Sequence, residues 1–159
     1  MNIRIGQGYD VHRLSEQESL IIGGVKIDHY KGTIAHSDGD VLIHAICDAL
    51  LGAANLRDIG FHFPDTSQNY KNIDSLILLQ ETNQLLRKEG FDIVNIDSTI
   101  CLEKPKLKNY IEEMKIKLSQ VLVISAKDIS IKATTTEKLG FVGEERGISA
   151  RVVVLIQKQ

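Results

Sequence analysis

Three side chains near the amino terminus are of the types that bind a catalytic metal ion. Asp10 and His12 stand two residues apart, and His44 follows inside an apolar segment with helical character. One carboxylate and two imidazoles are ligands that catalytic zinc uses, with the fourth position left to water or substrate. These residues predict a zinc site, in which Asp40 or Asp48, one helical turn away, orients the His44 ring. The alternative is that His44 is a core histidine hydrogen-bonded to Asp48.

A polar cluster at residues 36–40 comes directly before this apolar segment. The amino terminus of a helix provides free backbone amides and a partial positive charge. A phosphate would therefore be stabilised here by the His36 imidazole, the Ser37 hydroxyl and the helix dipole together. The alternative is an ordinary helix start, in which Ser37 is the capping residue and Asp40 completes a capping box.

Two later segments place polar groups at the ends of predicted strands. Residues 133–141 combine three hydroxyls, a carboxylate and an ammonium group. This set can hold a diphosphate, with Glu137 binding a divalent ion against it, although threonine runs are also good strand formers. In residues 102–108, three lysines flank Pro105. A rigid turn there can present backbone groups to a base, and the alternative is a solvated loop.

Hydrophobic periodicity predicts strands and helices that alternate along the chain. Strands are predicted at 3–8, 20–27, 94–102, 129–133 and 148–156, helices at 38–54, 73–90 and 110–121, and a long loop at 55–72. This order favours a single α+β or α/β domain over residues 1–159, a mixed sheet with helices over one face. The last strand is apolar on both sides, so a subunit interface is expected to cover its second face.

Composition argues against several classes of function. The 159 residues carry 19 basic and 21 acidic side chains, a net charge of −2, which gives no general attraction for nucleic acid. Cys47 and Cys101 lie in apolar or alternating segments, so we expect free thiols in a reducing compartment. No apolar run has the length of a signal-peptide core or a membrane span. The sequence predicts a cytoplasmic protein with no membrane or nucleic-acid partner.

Taken together, these segments resemble the 2-C-methyl-D-erythritol 2,4-cyclodiphosphate synthase family of the non-mevalonate isoprenoid pathway. The resemblance runs from end to end of the chain and rests on residues 8–12, 35–41, 44, 48–53, 58–60, 63–66 and 132–141. Several motifs in the family's order form a specific signature. The resemblance implies a lyase of isoprene and terpenoid biosynthesis. It also implies ferredoxin-like α/β sandwich subunits that form a homotrimer through their sheets, with active sites between subunits.

The resemblance further implies a reaction and a set of site residues. The 2-phosphate of 4-diphosphocytidyl-2-C-methyl-D-erythritol 2-phosphate attacks the β-phosphate of the same molecule, and CMP leaves. Asp10, His12 and His44 would hold one zinc ion per subunit, and Mg²⁺ or Mn²⁺ would bind with the diphosphate. His36 and Thr135 would stabilise the transition state. The implied substrate contacts are Asp10, Val11, His12, His36, Ser37, Asp58, Ile59, Gly60, Phe63, Pro64, Asp65, Thr66, Ser67, Leu102, Glu103, Lys104, Pro105, Lys106, Leu107, Lys108, Thr134, Thr135, Thr136, Glu137 and Phe141.

Within this list, residues 102–108 would hold cytosine and residues 134–137 the CDP phosphates. An ionised phosphate is already a nucleophile, so the reaction needs no activated serine or cysteine. The site must instead hold two anionic phosphates in line. Two other functions stay open. One is a catalytically silent trimeric module that binds cytidine nucleotides, and the other is a zinc-dependent phosphohydrolase that would give linear phosphates.

The chain departs from the family pattern in one place. Family members often read Gly-Arg-x-Glu-Gly after the threonine run, whereas this chain has Gly143, Glu144, Glu145, Arg146 and Gly147. In the family, that arginine faces the trimer axis and can bind an isoprenoid diphosphate. Because acid and base are exchanged here, we expect Glu144 to weaken such binding.

Overall fold

The computed structural model describes residues 2–64, 70 and 72–159. Its strands are β1 (Ile3–Glu16), β2 (Leu20–Ile22), β3 (Val25–Ile27), β4 (Lys31–Ile34), β5 (Phe91–Cys101), β6 (Ile129–Thr134) and β7 (Gly147–Lys158). Its helices are α1 (Val41–Ala54), α2 (Ile59–His62), α3 (Ser75–Lys88), α4 (Ile111–Leu122) and α5 (Gly140–Gly143), with a 3₁₀ turn at Ala126–Asp128. The expected mixed α+β class is confirmed.

One mixed sheet organises the molecule. Its strand order is β4-β1-β7-β5-β6, and β2 pairs with β3 in a separate hairpin. The neighbours within the five-stranded sheet are antiparallel except β5 and β6, which are parallel and are joined by a crossover containing α4. The register places Asp10 opposite Ala150, Ala150 opposite Ile100, and Ile100 opposite Ala133. These four residues form one row across the sheet.

The two faces of the sheet differ in exposure. On the inner face, β7 buries Ile148, Ala150, Val152, Val154 and Ile156, and α1 packs against β1 and β7. On the outer face, alternate β1 residues are exposed, and Ile5 is the extreme case at 72%. The helices therefore cover one face of the sheet, as the sequence predicted, and an apolar strip remains on the other.

Two glycines allow α1 to lie unusually close to β1. A Cβ atom added to Gly8 would stand 1.9 Å from the carbonyl oxygen of Ala45, and one added to Gly6 would stand 2.0 Å from that of Ala49. Atoms cannot approach this closely, so only residues without a side chain fit. The approach brings the α1 backbone against the strand directly beside residue 10.

The predicted elements are present, with corrections at their ends. The helix predicted at 38–54 begins at Val41, and Asp40, not Ser37, caps it by accepting the Ile43 N–H at 3.0 Å. The reason is that Gly39, at a φ of +71°, turns the chain after Ser37. The strand predicted at 3–8 continues to Glu16, and the expected loop at 55–72 contains α2. Sequence periodicity missed β4, α2 and α5 because segments of four residues carry too little pattern.

No helix among the described residues is long and apolar enough to cross a membrane. Cys47 and Cys101 are buried free thiols, as the sequence predicted.

Candidate metal centre and active site

The pairing of β1 with α1 brings the three predicted metal ligands together. Alternate residues of a strand share a face, so Asp10 and His12 point toward α1, as the two glycines before them do. His44 meets them from the second turn of α1. Asp10 Oδ2 is 2.9 Å from His12 Nε2 and 3.0 Å from His44 Nδ1, and the two ring nitrogens are 3.1 Å apart.

This triangle of donor atoms fits a metal ion. The three residues are the metal-type cluster found among the described residues, and each is partly buried. A tetrahedral ion with bonds of about 2.0 Å separates its ligand atoms by about 3.3 Å. The observed separations are within a few tenths of an ångström of that value. One carboxylate oxygen and two imidazole nitrogens also suit zinc and leave a fourth position for substrate.

The electrostatics of the triangle favour an ionised Asp10. Burial opposes its ionisation, but hydrogen bonds with His12 and His44 outweigh burial and lower the pKa of Asp10 to about 2. Burial lowers the pKa of His44, but the hydrogen bond and charge of Asp10 raise it overall. A permanently ionised carboxylate beside two imidazoles is an arrangement that attracts a cation.

The remaining nitrogen of His44 has partners that the sequence did not predict. Nε2 lies 2.9 Å from Ser75 Oγ and 3.1 Å from Ser37 Oγ. The expectation that Asp40 or Asp48 orients the ring is wrong. Asp40 accepts the N–H groups of Gly24 and Ile43, and Asp48 accepts the Ile59 N–H. Both carboxylates are used to fix backbone, so the alternative of His44 as a core histidine satisfied by Asp48 is also wrong.

A cavity of about 340 Å³ opens over the metal ligands. The predicted residues that line it are Asp10, His12, His36, Ser37, His44, Ile59, Gly60 and Phe63. Asp58 lies beside this group and caps α2 by accepting the Phe61 N–H at 2.9 Å. The wall is completed by Ala35, Tyr70, Ile73 and Leu78, none of which was among the predicted contacts. Ile73 was assigned to the apolar stripe of a helix, a pattern that does not distinguish a cavity wall from a core position.

A second set of predicted contacts lies elsewhere in the chain. Residues 102–108 and 134–137 follow the adjacent parallel strands β5 and β6, and the Leu102 N–H donates to Thr134 O at 3.0 Å. Thr134 shares a row of the sheet with Val11 but lies three strands away. At about 4.8 Å per strand, this separation is about 14 Å. One chain thus does not bring Thr135 to the metal ligands.

The last predicted contacts are placed differently again. Phe141 lines a separate cavity of about 780 Å³ with Val11 and His12. Pro64 follows α2 and is half-buried. Asp65, Thr66 and Ser67 lie outside the described residues.

Fold and site together define a class of protein, an α+β protein with an Asp-His-His cluster between a strand and a helix that could hold a metal ion. The chain belongs to the YgbB family, whose model matches residues 3–157.

Individual relatives give the same result. A protein of Bacteroides thetaiotaomicron named 2-C-methyl-D-erythritol 2,4-cyclodiphosphate synthase is 59% identical over 99% of both chains. The bifunctional IspDF of Campylobacter jejuni is similar with a TM-score of 0.95 and 41% identity; 99% of this chain matches 42% of that longer one. A CDP complex of Plasmodium falciparum IspF is similar with a TM-score of 0.87 and 37% identity, over 99% of this chain and 97% of that one. The resemblance drawn from the motifs is confirmed, and the chain is an enzyme of this kind.

Proposed function

We propose that the protein converts 4-diphosphocytidyl-2-C-methyl-D-erythritol 2-phosphate into 2-C-methyl-D-erythritol 2,4-cyclodiphosphate and CMP. A 2-phosphate oxygen forms a bond to the β-phosphorus, and the bond from that phosphorus to the bridging oxygen breaks. The bridging oxygen leaves with CMP. The observation that carries this proposal is the triangle formed by Asp10, His12 and His44 beneath a cavity that His36 and Ser37 also line.

The residues of the chain have separate tasks in this reaction. Asp10, His12 and His44 would hold zinc, and Glu137 would help to hold Mg²⁺ or Mn²⁺ against the diphosphate. Bound divalent ions supply Lewis-acid polarisation of phosphate oxygens and offset their charge. His36 and Thr135 would stabilise charge as the new bond forms, and the cavity walls would hold the flexible substrate in line. Restricting an intramolecular attack can lower the barrier by several kcal/mol, up to about 7–11 kcal/mol.

The two separated sets of contacts support an active site shared between chains. Thr135 and the metal ligands lie at different strands of one sheet, so a neighbouring chain must supply one set for them to meet. The exposed outer face of the sheet gives that neighbour a surface. It presents Ile3, Ile5, Tyr9, Val11, Ile34 and Val153, each at least 41% exposed. We therefore propose that residues 1–159 form one ferredoxin-like domain that assembles as a homotrimer.

Phosphorus NMR of the reaction tests the proposed chemistry. We expect the purified protein to give CMP and a cyclic diphosphate with Mg²⁺ present, and a chelator to stop the reaction. Linear phosphates would indicate a hydrolase, and unchanged substrate a binding module. His44→Ala should lose bound zinc and turnover, whereas His29→Ala, a histidine in the loop between β3 and β4 outside the cavity, should keep both. Full activity of zinc-free His44→Ala would contradict the metal assignment.

Mixing two inactive variants tests the shared site. Chains with His44→Ala and chains with Thr135→Ala should each be inactive alone. If one chain supplies His44 and its neighbour Thr135, trimers re-formed from both variants contain some intact sites and regain part of the activity. The control is a chain that carries both substitutions, which should rescue neither single variant. Failure of the two single variants to complement each other would contradict the proposed interface site.

A further inference from the structure

His44 is connected on its outer side to a chain of hydrogen bonds that ends in a carboxylate. His44 Nε2 lies 2.9 Å from the hydroxyl oxygen of Ser75, the first residue of α3. That hydroxyl donates to Asp38 Oδ1, and the Ser75 backbone N–H donates to Asp38 Oδ2 at 2.9 Å. Ser75 is 0% exposed, so water does not compete for these bonds. Asp38 and Ser75 are 37 residues apart and meet only through the fold.

Counting the protons along this series of hydrogen bonds fixes the direction of each bond. A serine hydroxyl has one proton to donate, and Ser75 uses it on Asp38, which as a carboxylate can only accept. The Ser75 oxygen can then only accept from His44, so Nε2 must carry a proton. Without a metal ion, Nδ1 donates to Asp10, and when an ion displaces that proton the neutral ring keeps its proton on Nε2 and offers the Nδ1 lone pair. Nδ1 is the atom that points at Asp10 and His12.

We infer that Ser75 and Asp38 are positioning residues that hold His44 in the tautomer and ring orientation required of a metal ligand. The inference rests on the proposed metal site and assigns a role to two residues outside the predicted set of ligands and substrate contacts. Outer partners of this kind typically change metal affinity 10–100-fold when they are lost.

Ser37 makes a weaker contact with the same nitrogen. Its oxygen lies 3.1 Å from His44 Nε2 and accepts the Gly39 N–H at 3.2 Å. Among the described residues, no hydrogen bond joins its hydroxyl to a carboxylate. The hydroxyl can therefore rotate to donate or accept, and it does not fix the tautomer of His44. The direction of the hydrogen bond with His44 is therefore determined only for the Ser75 hydroxyl.

The loops that carry Asp38 and Ser75 are also held together by backbone bonds. The Asn72 N–H donates to His36 O at 2.8 Å, and the Asp38 N–H donates to Ile73 O at 3.2 Å. These bonds, and the bond from the Ser75 N–H to Asp38, survive removal of the Ser75 hydroxyl. Ser75→Ala thus removes the contact with His44 while the loops stay joined, which separates positioning from a purely structural role.

Zinc affinity of the Ser75 variant is the first measurement. We expect Ser75→Ala to raise the dissociation constant for zinc about 10–100-fold in competition with a chromophoric chelator. The matched control is Ser98→Ala, because Ser98 is also buried and donates to a backbone oxygen, Ser130 O, at 2.8 Å far from the metal ligands. Ser98→Ala should leave zinc affinity within about twofold. Equal affinities in the two variants, weakened or not, would overturn the inference.

The Asp38 variant gives a signature that a structural role would not produce. In Asp38→Asn the amide can donate to Ser75, whose proton is then directed at His44 Nε2, so Nε2 must accept and no longer carries a proton. In metal-free protein, long-range ¹H–¹⁵N spectra of the histidines should show a proton on His44 Nε2 in the wild type and none in Asp38→Asn, where Nδ1 alone is protonated toward Asp10. The control is Asp74→Asn, which removes the same charge from the cap of α3. Unchanged tautomers in both variants would overturn the inference.

Failure of this inference can be distinguished from failure of the proposed function. If the wild type bound no zinc, the proposed metal site would fail before any variant was compared. If the wild type binds zinc and cyclises its substrate while Ser75→Ala matches it in affinity and tautomer, the inference about Ser75 and Asp38 alone fails.

Discussion

The contact between Gly8 and α1 makes a prediction that links packing to the metal site. In Gly8→Ala, the new Cβ would stand 1.9 Å from Ala45 O, and real Cβ contacts of this kind stay above 3.0 Å. The helix must therefore move by about 1.1 Å at that point. The obstacle is backbone, which cannot rotate away as a side chain can. His44 is the residue before Ala45 on α1, so it moves away from the β1 ligands.

The substitution is expected to lower both the stability of the fold and the affinity of the metal site. Overpacking of this kind costs about 1–3 kcal/mol, and a backbone obstacle places this variant near the upper value. At about 2–4 °C per kcal/mol for a domain of this size, the melting temperature of metal-free protein should fall by roughly 6–12 °C. Metal sites need ligand distances within about 0.2 Å, and a misplacement of about 1 Å can cost roughly 100-fold in rate. Zinc content and turnover should therefore both fall.

Gly52→Ala is the matched control because the same substitution meets open space. A Cβ at Gly52 would have no neighbour within 4 Å, although it lies on the same helix. Alanine in place of a helical glycine should stabilise by about 0.5–1 kcal/mol and raise the melting temperature by roughly 1–4 °C. Calorimetry and zinc titration of both variants provide the test. A Gly8→Ala protein that melts and binds zinc like the wild type would refute the argument that close packing sets the ligand geometry.

Three further predictions concern other parts of the molecule. Burial raises the pKa of Asp40 from 3.8 to about 6. Between about pH 4 and pH 6 the folded state therefore keeps the Asp40 proton, whereas the unfolded state releases it. The free energy of unfolding should fall by about 3 kcal/mol over this range because of this one group. In urea titrations of metal-free Asp40→Asn, the free energy of unfolding should not show this fall. A pH dependence equal to that of the wild type would contradict the prediction. Val153→Asp on the outer face should dissociate the proposed trimer in sedimentation, whereas Val123→Asp, exposed at the end of α4, should not. A trimeric Val153→Asp protein would argue against the proposed sheet interface. Arg146 Nε lies 2.6 Å from Glu144 Oε2, so geranyl diphosphate should bind weakly and Glu144→Gln should strengthen it; tight binding that survives Arg146→Ala would be inconsistent with this.

The cluster of candidate metal ligands was predictable because the chemistry and spacing of these residues are local. An Asp-x-His pair on a strand shares a face by the period of the strand, and His44 belongs to a helix whose apolar pattern is strong. The partners of His44 were not predictable in this way. Asp48 is one turn from His44 in sequence, but its side chain accepts the Ile59 N–H. Ser75 is 31 residues from His44, and nothing local in the sequence indicates that its hydroxyl reaches the ring.

Strand order was the second feature that sequence could not supply. Residues 102–108 and 134–137 were assigned to cytosine and to the CDP phosphates, and the parallel pair β5–β6 places the two segments side by side. Their distance from Asp10 depends on β7, the last strand in the chain, which inserts between β1 and β5. Periodicity identifies strands but does not order them. The proposal that a second chain completes the site is based on that order.

The two faces of β1 connect the metal site to the assembly. Its even positions carry Gly6, Gly8 and then the metal ligands toward α1, while its odd positions expose Ile3, Ile5, Tyr9 and Val11. Because side chains alternate with a period of two, a register shift of one residue against β7 would exchange the two sets. It would place apolar side chains against the α1 backbone and turn the ligands to the outer face. The contact of Gly6 and Gly8 with the α1 backbone, where no side chain fits, disfavours such a shift over the whole pairing from Ile3 to Arg13. One strand register therefore fixes the helix contact, the ligand geometry and the surface proposed for the neighbouring subunit.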